Sequence, residues 1–165
     1  MAETPAGLPP EVLERMRRGV PLVLTAGGAF LWGEEPITHE RVIEALRAGL
    51  DVSDGGEPTT AIGPQWCYLK VEDTPLRVIA VAADPHEAPL LRLDDGRDVP
   101  LDPSTLWEEP ELGLRCEVPA QRSGRALAAR FTNRAQSDLA RWLDLERDPP
   151  RLVIGDAEHP IRNRR

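Results

Sequence analysis

Leu22-Val23-Leu24-Thr25-Ala26-Gly27-Gly28-Ala29-Phe30-Leu31-Trp32, followed by Gly33-Glu34-Glu35-Pro36-Ile37-Thr38-His39-Glu40-Arg41-Val42-Ile43-Glu44-Ala45-Leu46-Arg47-Ala48-Gly49-Leu50, decides the fold. Residues 22–25 and 29–32 are apolar runs on either side of a Gly-Gly pair. Glycine supplies the positive φ that a tight hairpin turn requires, so the segment reads as two antiparallel strands. Pro36-Ile37 ends the extended run, and Thr38 is placed to cap a helix through its hydroxyl. Val42, Ile43, Leu46 and Leu50 then recur at helical spacing, with Gly49 as the stop. The order is hairpin, threonine cap, amphipathic helix.

That order returns near residues 114–143. Residues 114–118 and 125–131 read as a second hairpin around Gln121-Arg122-Ser123-Gly124. Thr132 caps a helix whose apolar stripe is Ala135, Leu139, Trp142 and Leu143. Between the two copies, residues 51–63 hold Asp, Ser, Gly and Pro and read as a loop, and 66–71 alternate as one strand. Glu72-Asp73-Thr74-Pro75 makes a corner, 76–82 is a central strand, and Asp95-Gly96 turns a further hairpin. Residues 102–112 read as an acidic connection, and 152–154 with 159–161 as a closing hairpin that leaves less strand after the second helix than after the first. At the start, 11–19 is a short helix closed by Gly19 in a positive-φ conformation. Its arginines Arg15, Arg17 and Arg18 read as a solvated end.

With 165 residues and 41 % apolar side chains there is enough material for a core. The net charge of −8 argues against a broad phosphate-binding face and hence against nucleic acid. No stretch reaches the roughly 20 apolar residues of a membrane span, and no signal-peptide core is visible. Cys67 and Cys116 sit far apart in strand-like runs and read as free thiols, which suits a reducing cytoplasm.

No catalytic or metal signature emerges. His39, His86 and His159 lie in separate elements, neither cysteine has a Cys-x-x-Cys partner, and no serine sits in a nucleophile elbow. Gly27-Gly28 joins two strands rather than a strand and a helix, so it is no phosphate loop. No cofactor is expected. The carboxylates of Glu72 and Asp73 point to opposite sides of an extended chain and suit turn capping, arginine pairing or the edge of a binding site. Trp32, Trp66 and Tyr68 are aromatic groups with a polar tip, suited to a core edge or to a cleft wall.

The chain resembles the bacterial proteins of unknown function called DUF1285. Gly28, Phe30, Pro36 and Ile37 fall on that family's N-terminal pattern, and Val71-Glu72-Asp73-Thr74-Pro75 on its Val-Glu-Asp-x-Pro corner. Arg130 can be placed on the family's arginine. The resemblance implies two α+β subdomains built from repeated motifs, with a cleft between them and a role in ligand binding or signal transduction. The resulting expectation is an α+β protein of two small similar subdomains, each a hairpin followed by a helix, with largely antiparallel strands. Its parts are an N-terminal helix (1–20), a first subdomain (21–103) and a smaller second one (104–165). The expected function is a non-catalytic binding or regulatory module in the cytoplasm, taking a small molecule or a protein partner against Trp32, Trp66, Tyr68, Asp73 and Arg130. The competing readings are an enzyme with a dispersed active site and a structural subunit of a complex.

Overall fold

The Gly-Gly hairpin forms as the sequence dictates: β1 (Leu22–Leu24) pairs antiparallel with β2 (Phe30–Trp32), with Val23 opposite Leu31. Gly28 turns it at φ 93°. A computed structural model describes residues 7–84 and 86–164. The fold is α+β with largely antiparallel sheets. By contacts the chain falls into two units, Met1–Pro75 with Ala120–Arg125, and Leu76–Pro119 with Ala126–Arg165.

In the first unit, α1 (Pro10–Arg18) precedes the hairpin, and β3 (Glu35–Pro36) continues it. Helix α2 (Glu40–Ala48) follows. His39, not Thr38, occupies its N-cap, and no side chain caps it. Gly19 and Gly49 end their helices at φ −80° and −86°, so neither uses the left-handed conformation. Gly49 is there for space. A Cβ at that position would stand 2.1 Å from the Ala61 carbonyl oxygen.

The stretch expected to be a loop contains β4 (Asp51–Val52) and β5 (Pro58–Ile62), and β5 is the middle strand of a sheet completed by β6 (Gln65–Tyr68). Pro-Thr-Thr-Ala-Ile lacks the apolar alternation that announces a strand. It is threonine that goes inward: Thr60 is buried, and its hydroxyl donates to the Leu46 carbonyl at 2.7 Å, which makes burying a polar side chain tolerable. The expected strand 66–71 is two pieces. It breaks at Leu69, and β7 (Lys70–Val71) leaves to pair parallel with β1. The hairpin sheet thus has the order β3-β2-β1-β7. Leu22, Leu24, Phe30, Leu46, Leu50 and Leu69 form this unit's apolar core.

The second unit opens with the meander β8 (Leu76–Ala83), β9 (Pro89–Leu93) and β10 (Asp98–Pro100). The sequence placed these strands with the first half. They belong with the second because β8 pairs parallel with β13 (Ala126–Phe131), a long-range register that no local pattern encodes. The acidic connection holds a further strand, β11 (Trp107–Glu109), whose Trp107 is buried. It pairs with β12 (Gly113–Pro119), and β12 with β13. Thr132 caps α3 (Asn133–Leu139) by accepting the Ala135 N–H at 3.2 Å, as its sequence position predicts. One 3-10 turn (Ala140–Trp142) leads to a three-stranded sheet of β14 (Leu143–Asp144), β15 (Arg151–Ile154) and β16 (Ala157–Pro160). β17 (Arg162–Asn163) then pairs parallel with β11. The large sheet runs β10-β9-β8-β13-β12-β11-β17.

β7 returns to β1, and the Glu72 N–H donates to Leu24 O at 3.0 Å; β17 returns to β11, and the Arg164 N–H donates to Glu108 O at 3.2 Å. Leu69 N–H reaches Pro58 O at 3.0 Å, and Ile161 N–H reaches Pro150 O at 2.8 Å. Gly63 and Gly155 turn the following hairpins at φ 60° and 57°.

Candidate functional site

The β4-β5-β6 sheet carries the largest cavity described within the first unit, about 650 Å³. Trp66 and Tyr68 stand two residues apart on β6, so the strand's two-residue period sends both side chains to one face. Their rings meet edge to face, 5.3 Å between centroids and 66° between planes. Each ring is covered by a guanidinium of α1: Arg17 lies 4.1 Å from the Trp66 centroid and Arg18 4.0 Å from that of Tyr68. At the basic end of α1, Arg17 and Arg18 are thus stacked on aromatic rings, while Arg15 and Arg18 stay exposed to solvent. The Tyr68 hydroxyl donates to Glu14 at 2.7 Å, and that bond raises the phenol above its ordinary pKa.

The opposite wall is the Ala120–Arg125 turn, closed on itself by the Ala120 N–H donating to Arg125 O at 2.8 Å. Arg125 donates to Val52 O at 3.1 Å and to Asp54 at 2.8 Å. The Ser123 hydroxyl donates to Asp51 at 2.6 Å, and Arg122 to Gly63 O at 3.0 Å. Arg18 is paired with Glu57 at 2.7 Å. The cavity is thus an aromatic edge facing a rim of alternating charge, with its arginines oriented by carboxylates and carbonyls. Such a surface suits holding a polar, flat molecule by stacking and directed hydrogen bonds. Arg122 and Arg125 were not legible as site residues, because a turn far along the chain gives no local sign of where it will rest.

Trp32 and Trp66 together line a smaller cavity of about 290 Å³, which shares Ala61 and Trp66 with the larger one. Trp32 is 55 % exposed. Asp73 lies half-buried in the bend after β7, and its neighbour Glu72 caps the first hairpin by accepting the Ala26 N–H at 3.1 Å. Arg130 sits on β13 of the second unit, in register between Arg115 on β12 and Arg77 on β8. Among the described residues no group of three or more His, Cys, Asp or Glu side chains is arranged to hold a metal ion, and no helix is long and apolar enough to cross a membrane.

Cys67 lines the smaller cavity and Cys116 is fully buried; both are free. Burial, assisted by the Glu117 carboxylate, pushes the Cys116 thiol up to about 12 from an ordinary 9.0. The folded chain therefore holds the proton that the unfolded chain releases. Stability from this group is complete below its unfolded value and declines as pH rises between the two. Urea midpoints measured at about pH 8 and about pH 10 should show a loss that Cys116→Ala reduces. An unchanged loss would mean the thiol already ionises in the native state. Alkylation of the denatured, unreduced protein should label both cysteines.

No protein-family model matches the sequence, and no curated protein does. Two solved structures share its fold. A DUF1285 family protein from Silicibacter pomeroyi superposes with a TM-score of 0.65 over 86 % of this chain and 79 % of its own, at 13 % identity. A second, from Shewanella baltica, gives 0.59 over 77 % and 95 %, at 14 % identity. This chain has the DUF1285 fold. The resemblance carried by Gly28, Phe30, Pro36, Ile37 and the Val71–Pro75 corner is thereby supported. At such identity the DUF1285 likeness is one of fold and carries no ligand or reaction with it.

Proposed function

We propose that this chain is a non-catalytic binding or regulatory module whose ligand lies in the first unit's larger cavity, against Trp66 and Tyr68. The observation that supports this most is the make-up of that cavity: two aromatic rings in contact, three arginines already oriented, and glycine at three places in its wall. Preset donors and rings reduce the ordering needed on binding. The ligand class that fits is a flat polar molecule carrying both an anionic group for Arg122 or Arg125 and a donor for the Asp51 and Asp54 carboxylates. Correspondence of the strand registers also supports reading the chain as a duplicated hairpin–helix unit. On that reading the β8–β10 meander is an addition to the second copy.

Native mass spectrometry of the purified chain reports a retained ligand and the oligomeric state together. Occupancy should change tryptophan emission, and Trp66→Ala should weaken binding by about tenfold or more, the loss of one stacking wall. Trp107→Ala, in the second unit, should leave affinity unchanged. Equal affinity in both variants, with only stability lost, would overturn the proposal.

A further inference from the structure

The correspondence between the halves exposes one place where they differ in kind. In the first unit, Leu24, Phe30, Leu50 and Leu69 close a core beneath α2, with Ile43 beside them. Arg47 lies along its edge and donates to Gly28 O at 3.2 Å. Counting from the matched registers, Leu24 corresponds to Glu108, Phe30 to Leu114, Leu50 to Leu143 and Leu69 to Ile161. Carried along the helices from Leu50 and Leu143, Ile43 corresponds to Gln136 and Arg47 to Ala140.

A buried leucine has thus become an exposed glutamate, an isoleucine a glutamine, and the long arginine an alanine. What is a filled core in the first unit is an open groove of about 520 Å³ in the second, lined by all of Glu108, Leu114, Gln136, Ala140, Leu143 and Ile161. Its floor is aliphatic. Gln136 is fixed, because its Oε1 accepts the Leu114 N–H at 3.0 Å. Among the described residues no lysine, arginine or histidine lines the groove, and Glu108 is its one charged group. An aliphatic floor with a single carboxylate on its wall matches an aliphatic body carrying a cationic head.

We propose that this groove binds a small alkylammonium ligand, its chain over Leu114, Leu143 and Ile161 and its ammonium against Glu108. The site is separate from the first unit's cavity and stands or falls independently of it.

The test is titration of the intact chain with n-hexylammonium, n-hexanol and n-hexanoate, followed by backbone amide NMR. Hexylammonium should shift the amides of Leu114, Gln136 and Leu143 saturably and bind about tenfold more tightly than hexanoate. Glu108→Gln should erase the preference of the amine over the alcohol. Ala140→Arg, which restores the first unit's plug, should abolish binding while the spectrum keeps its dispersion; if that variant does not fold, Ala140→Met fills the groove with less bulk and serves in its place. Absence of saturable shifts, equal binding of hexanoate, an amine preference surviving Glu108→Gln, or undiminished binding to the plugged variant would each overturn the assignment.

Discussion

Asp94→Ala should destabilise the protein by about 3–5 kcal/mol, because it removes the carboxylate that meets a buried guanidinium at the start of β8. Arg77 and Asp94 meet at 2.6 Å with side chains only 5 % and 11 % exposed, and Asp94 also accepts the Arg77 backbone N–H at 3.0 Å. The carboxylate therefore anchors the start of β8 to the turn after β9 as well as balancing a charge. Urea unfolding at low and high salt measures the effect, which should hardly depend on ionic strength since burial excludes the screening ions. Arg92–Asp98 on the neighbouring β9–β10 pair is the internal comparison. Both of its side chains are largely exposed, so Asp98→Ala should change stability little. Equal losses for the two substitutions would show that burial is not what makes the first pair matter.

Gly49→Ala should cost about 3 kcal/mol by overpacking. The added methyl would meet three backbone atoms of Ala61 at 2.1, 2.7 and 2.9 Å, and a central strand cannot step aside as a flexible side chain can. Gly63 gives the contrast. It turns at φ 60° and has nothing within 4 Å of where a methyl group would stand, so Gly63→Ala meets only the left-handed backbone penalty of about 1–2 kcal/mol. Chemical denaturation of the two variants separates crowding from torsional strain. A smaller loss at Gly49 than at Gly63 would mean that α2 and β5 slide apart readily.

These two sites also mark what the sequence could and could not disclose. Several local roles were legible: the Gly28 turn, the Thr132 cap, the Asp95-Gly96 hairpin and the apolar run of β8 all stand where local chemistry puts them, whereas the Thr38 cap and a left-handed Gly19 did not form. Gly49 was correctly read as a helix end for an incomplete reason, since its necessity comes from a strand twelve residues away. β5 was missed because threonines, satisfied by a helix carbonyl, took the inward positions that apolar residues usually mark. β11 was missed because two acidic residues and a nearby proline hid a three-residue strand around Trp107. For the candidate site the balance is similar. Trp66 and Tyr68 announced themselves by residue type and spacing, whereas the arginines that complete the cavity come from a turn whose resting place depends on the whole fold.

The Ala120–Arg125 turn has a consequence for how the protein is made. It belongs to the first unit, yet both strands that carry it, β12 and β13, belong to the second. On the ribosome the first unit's sheets can assemble early, but one wall of its cavity is still unsynthesised. Arg122 and Arg125 arrive only after most of the second unit's central sheet has emerged. A nascent chain therefore completes this cavity late, and a fragment ending at Pro75 would keep the aromatic half of the cavity while lacking the Arg122 and Arg125 that also line it.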